Sequence, residues 1–97
     1  MPWNNTNPFA YHSVGMITGA PAASGVYGIY NAQQWIYIGE SQNIQARLLQ
    51  HLNGDNPCIA RLNPTSFMFE LSPDNQRVAR QNQLILEFPT ACNQRLG

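Results

Sequence analysis

The chain has 97 residues, with five Lys+Arg against five Asp+Glu, 43% hydrophobic and 10% charged residues, which describes one small domain with a modest core and leaves no room for two. Lysine is absent and the formal net charge is zero, so the long-range attraction of a strongly basic protein for a polyanion is missing, and any nucleic-acid contact must come from a local grouping of arginines. No apolar run approaches the roughly 18–20 residues of a membrane span and no charged-then-apolar leader opens the sequence, so the expected location is the cytoplasm.

In chain order, residues 1–24 show no sustained period, are rich in Asn, Pro, Gly and Ala, and carry isolated large apolar residues at Trp3, Phe9, Tyr11 and Ile17. They read as a partly ordered N-terminal extension that packs a few anchors onto a domain spanning 25–97, with its first several residues disordered. From Gly25 the pattern sharpens. GVYGIY and WIYIG are aromatic and β-branched, and NAQQ separates them, so a hairpin with strands near 25–30 and 35–39 is expected, Asn31 tolerating positive φ in the turn.

Ile44, Leu48, Leu49 and Leu52 fall at helical spacing behind Ser41 or Asn43 as cap, with Asn53-Gly54 as stop, so 42–52 is an amphipathic helix. Pro57 opens one or two helical turns through CIARL, which Asn63-Pro64 ends. SFMFEL alternates as a third strand. A last helix starts at Ser72-Pro73-Asp74 and runs through Val78, Leu84, Ile85 and Phe88 to Pro89. The order gives an α/β (α+β) fold with a small, mainly antiparallel sheet. Cys58 and Cys92 lie 34 residues apart with no metal-binding spacing nearby, so they read as buried free thiols in a reducing compartment.

Tyr27 and Tyr37 fall on the two hairpin strands, and Arg47 and His51 share one face of the following helix at i, i+4. Phosphodiester hydrolysis needs a cation for the non-bridging oxygens, a proton acceptor for water and usually a hard metal ion, and these side-chain types supply the first two. Taken alone, strand tyrosines are more often packing residues and a helical Arg/His pair is more often a solvated face.

The stretch SGVYGIYNAQQWIYIGESQNIQARLLQH resembles the GIY-YIG nuclease superfamily, which includes homing endonucleases, some restriction enzymes and the incision domain of bacterial nucleotide-excision repair. Gly25-Val26-Tyr27 stands in the first motif and Tyr37-Ile38-Gly39 in the second. The literal GIY at 28–30 is a decoy, because only the spacing from Tyr27 to Tyr37 fits the family. Arg47 lies ten residues after Tyr37 and His51 four further on, at the family's intervals.

The resemblance covers about residues 24–93 and implies a three-stranded antiparallel sheet flanked by helices, in a DNA endonuclease dependent on one divalent ion, Mg²⁺ or Mn²⁺. It implies that Tyr27 or Tyr37 accepts or relays a proton from water, that Arg47 binds the scissile phosphate, and that His51 assists the transfer or orients Tyr27. Gly39 and Asn93 would line the substrate side. Counting back from Asn93, Pro89 and Leu84-Ile85, the family's metal-binding Glu falls on Gln81, an uncharged and poor ligand for Mg²⁺. Glu87 is the nearest other carboxylate, but six residues turn a helix by roughly 600°, so it does not share a face with Gln81; Glu40 is a further alternative.

Two expectations follow: an endonuclease present as an inactive Glu-to-Gln form, or a non-catalytic nucleic-acid-binding or protein-interaction module on the same fold. With zero net charge, a homodimer or a partner domain would supply target binding.

Overall fold

The computed structural model describes residue 3 and residues 8–93. Its elements are β1 (Phe9–Ala10), α1 (Ser13–Gly19), β2 (Gly25–Tyr30), β3 (Trp35–Ser41), α2 (Ile44–Leu52), α3 (Pro57–Arg61), β4 (Ser66–Leu71) and α4 (Arg77–Glu87). The strands form one antiparallel sheet in the order β1-β4-β2-β3. The three strands expected from sequence are its body, and β1 adds a short fourth at the edge, pairing Phe9 with Phe67 and Ala10 with Ser66.

Each face of the sheet carries its own core. On one face Tyr27, Ile29 and Phe67 pack with Met16 of α1, Ile44 and Leu48 of α2 and Ile59 of α3. On the other, Val26, Ile38 and Met68 pack with Leu84 of α4 and with Trp3, whose ring stacks on Trp35 at 5.7 Å between centroids. β2 therefore lies in the middle of the sheet and is covered on both sides, which is why Gly25 through Ile29 are all buried and its sequence reads as a continuous apolar run.

The part read as a partly ordered extension contains β1 and α1. Its helix, SVGMITG, mixes glycine with β-branched residues, so propensity argues against it, and burial of Met16 and of the following Ala20 in the core holds it in place. Ile17 lies in this helix, with its side chain outside the described residues, as are residues 1–2 and 4–7, on which the expectation of disorder falls.

At the hairpin the turn works differently from expectation. Asn31 does not take positive φ; its side-chain oxygen accepts from the backbone N–H groups of Gln33 and Gln34 at 2.9 and 3.0 Å, while its amide donates to the Leu62 carbonyl at 2.9 Å. α4 starts at Arg77, later than the Ser72-Pro73-Asp74 signal suggests. Ser72 is already committed: its N–H donates to the Ser24 carbonyl at 3.1 Å and its own carbonyl accepts from the Ser24 hydroxyl at 2.7 Å, so it extends the sheet rather than capping a helix.

The reading of Cys58 and Cys92 as free thiols is overturned, for the two form a disulfide with Cα atoms 5.7 Å apart. Pro57 begins α3 so that Cys58 faces the chain leaving α4. That chain is held on β3 by hydrogen bonds from Ala91 N–H to the Trp35 carbonyl and from Cys92 N–H to the Ile36 carbonyl. Separation in sequence carried no information about this proximity. Among the described residues, no helix is long and apolar enough to cross a membrane.

Candidate active site

Tyr27, on the central strand, points into the core beneath α2 and is 1% exposed. Its register partner on β3 is Gly39. A Cβ at residue 39 would lie 2.5 Å from the Tyr27 hydroxyl oxygen and 2.7 Å from Cε2 of Tyr37. Glycine is therefore required because the phenol of Tyr27 fills the space a side chain would take. Gly39 is the floor on which Tyr27 rests.

α2 brings the next two groups. Its start is fixed by Asn43, whose side-chain oxygen accepts from the Ala46 N–H at 2.9 Å, and its apolar face of Ile44 and Leu48 is fully buried. That rotation turns His51, three residues after Leu48, inward as well. His51 is 1% exposed, and its Nε2 lies 2.7 Å from the Tyr27 hydroxyl. Tyr37 closes the group, its ring centroid 5.2 Å from that of His51 and 6.2 Å from that of Tyr27. Arg47, one turn before His51, stays half-exposed.

A residue that the sequence reading passed over ties this helix face together. Asp55 accepts from Nη1 of Arg47 on one carboxylate oxygen at 2.6 Å and meets Nδ1 of His51 with the other at 2.9 Å. Gly54, at φ 93°, supplies the left-handed turn that reverses the chain after α2 and returns Asp55 to it. Asn53-Gly54 reads correctly as a stop, but the signal that could have found Asp55 is its spacing, four residues beyond His51 and eight beyond Arg47.

Electrostatics sort the proton positions. Burial, reinforced by the neighbouring Tyr37, pushes the Tyr27 phenol well above its ordinary value, with Arg47 pulling the other way. Burial and the Asp55 charge raise Tyr37 against the same opposing pull of Arg47. Burial lowers His51 despite the hydrogen bond and charge of Asp55. Burial would raise the Asp55 carboxyl, but His51 and Arg47 outweigh it and hold it below the usual carboxylate range.

Asp55 is thus ionised and can only accept, so Nδ1 of His51 carries the proton and Nε2 accepts from Tyr27. Tyr11, just after β1, faces the same carboxylate: burial and the Asp55 charge push its phenol up to about 12.

Tyr27, Tyr37, Arg47 and His51 are brought together, on Gly39. Gln81 and Asn93 reach the domain differently. Gln81 is half-buried on α4 and its amide nitrogen lies 3.4 Å from Oδ1 of Asn82. Asn93 clips the chain to β3, accepting from the Ile38 N–H and donating to the Ile38 carbonyl, both at 2.8 Å. No hydrogen bond joins either residue to the tyrosine–histidine group among the described residues. Glu40 is engaged by Arg77, and Glu87 is exposed at the last position of α4. Among the described residues, no three His, Cys, Asp or Glu side chains are grouped to hold a metal ion.

Comparison with known proteins bears on this arrangement. The family model for the GIY-YIG catalytic domain matches residues 23–92. A 39-residue stretch, 40% of the chain, is 51% identical to the UvrABC system protein C of Hydrogenobaculum sp., of whose length it spans 7%. The fold matches crystal structures of the GIY-YIG N-terminal endonuclease domain of UvrC from Thermotoga maritima. A point mutant with its catalytic divalent cation gives a TM-score of 0.74 at 22% identity, covering 86% of this chain and 96% of that one. The magnesium-bound domain gives 0.73 at 22% identity over 84% and 96%. With the motif tyrosines, Arg47 and His51 at the family intervals and the matched model spanning most of its length, the chain belongs to the GIY-YIG catalytic domain family.

Proposed function

We propose that the chain is a DNA phosphodiesterase domain of the metal-dependent endonuclease type, present in a form whose metal-anchoring position is held by Gln81 and which therefore does not cleave. The observation that carries this reading is the buried hydrogen bond of 2.7 Å between the Tyr27 hydroxyl and Nε2 of His51, with Arg47 half-exposed beside it. Any buried phenol needs an acceptor, and this one is an imidazole that can also carry the proton it receives.

In this reading Tyr27 passes its proton to Nε2 of His51, and the phenolate, stabilised by Arg47, takes a proton from the attacking water. Tyr37 lines the water's side, and Arg47 holds the non-bridging oxygens of the scissile phosphate. The water oxygen forms the new bond to phosphorus while the bond to the leaving oxygen breaks. Gly39 and Asn93 support the substrate side through the backbone of β3.

Similar UvrC domains hold a catalytic divalent cation, magnesium in one of them, and one Mg²⁺ or Mn²⁺ ion would supply charge neutralisation here, but the residues present do not fit it. A neutral amide stands where hard divalent cations take anionic oxygen. DNA affinity is expected to be low, because Arg77 and Arg80 are neutralised by Glu40, Asp74 and Glu70. A homodimer or a partner domain would supply the rest.

Calorimetric titration of Mg²⁺ in the presence of DNA tests the assignment of Gln81. Gln81→Glu should bind the ion much more tightly than the present chain with little change in fold, the two side chains having the same length and branching. Equal affinity for the two forms would remove Gln81 from the anchoring position and leave the non-catalytic binding module as the better reading.

A further inference from the structure

We infer that Asp55 is a positioning residue for the phosphodiester hydrolysis proposed above, fixing through one carboxylate both the tautomer of His51 and the orientation of Arg47. The inference rests on that reading for its catalytic consequence but not for its geometry. One oxygen of Asp55 lies 2.9 Å from Nδ1 of His51 and the other 2.6 Å from Nη1 of Arg47, so the bridge spans the proton acceptor and the phosphate-binding cation.

A neutral imidazole has one donor and one acceptor nitrogen. Only when Nδ1 holds the proton can Nε2 receive one from Tyr27. Transfer of the Tyr27 proton then leaves an imidazolium beside a carboxylate and a phenolate beside a guanidinium, two compensated charges in a buried place instead of two bare ones.

Asp55 itself is about one-third exposed, so nothing in the packing of the core requires a residue of its size or charge there. Arg47 has a second acceptor in Gln50 at 2.7 Å, which keeps part of its orientation if Asp55 is lost. The groups facing His51 are Tyr27 from β2, Tyr37 from β3, Arg47 on its own helix and Asp55 after it; Tyr11 faces Asp55 from the turn after β1. Of these, Asp55 is the one anion.

The test is the titration and tautomer of His51, followed by nitrogen-15 NMR of the histidine ring in the intact chain and in Asp55→Asn. The parent should show the proton on Nδ1. Asp55→Asn should populate the other tautomer and move the His51 midpoint to lower pH, since the carboxylate that favours the imidazolium is gone.

In a Gln81→Glu background, Asp55→Asn should lower kcat roughly 10- to 100-fold with KM for a DNA oligonucleotide little changed, and should shift the acid limb of the pH profile in the same direction. An unchanged tautomer and midpoint in Asp55→Asn would overturn the inference, even if stability fell. Failure of Gln81→Glu to cleave would count against the proposed function alone, because the His51 titration decides the role of Asp55 without any turnover.

Discussion

Two of the site's residues are defined by what they exclude or withhold. Gly39 is one, because the Tyr27 hydroxyl occupies the place of its missing Cβ. Gly39→Ala should destabilise the domain by about 1–3 kcal/mol, the usual cost of forcing a methyl into a filled core, and should displace Tyr27 from His51. Thermal unfolding, together with the near-ultraviolet signal of the tyrosines, would check it; an unchanged melting temperature would mean that the two strands separate more readily than their register implies.

His51 is the other. Burial holds its folded pKa below the ordinary value of about 6.5, so the unfolded state binds more protons in the window beneath that value. Stability is therefore complete above about pH 6.5 and is lost as the pH falls through the folded-state pKa. Melting temperatures measured from pH 7.5 to 5 should decline, and His51→Gln should flatten that decline.

At the level of elements, the sequence was most legible where pattern and burial agree. Asn43, Ile44, Leu48 and the Asn53-Gly54 stop each point to α2, and β2, β3 and β4 have the aromatic and β-branched composition that a covered sheet needs. The family intervals then located Tyr27, Tyr37, Arg47 and His51 from sequence.

What sequence did not give was decided by contacts between distant segments. α1 has poor helix formers and exists because Met16 finds the core. Asp55 lies after a helix stop, where a charge ordinarily faces solvent, and the Cys58–Cys92 bridge joins α3 to the end of α4 across a separation of 34 residues.

That bridge should contribute about 2–4 kcal/mol by restricting the unfolded chain, as loops of this size do. Reduction, or the double substitution Cys58→Ser and Cys92→Ser, should lower the denaturation midpoint accordingly while preserving the sheet. No difference between oxidised and reduced protein would show that the unfolded chain gains nothing from losing the link.

Over the whole molecule, zero net charge is distributed so that the described arginines of α4 are spent on carboxylates of the sheet and its edge. Arg77 meets Glu40 and Asp74, and Arg80 meets the buried Glu70. Arg47 is also paired, but with the solvent-accessible carboxylate of Asp55 beside the tyrosine–histidine group, where exchange for a phosphate oxygen costs little burial.

On the proposed reading, Arg47 is the cation that meets the scissile phosphate, backed by Tyr27 and His51, and Gln81 stands at the metal-anchoring position. Single-turnover cleavage of DNA in Mg²⁺ measures whether that machinery works. The present chain should not cleave, Gln81→Glu should cleave and stop on addition of EDTA, and Arg47→Ala in that background should abolish cleavage with little change in melting temperature. Absence of cleavage by Gln81→Glu, or full activity without Arg47, would contradict the assignment of this site to phosphodiester hydrolysis.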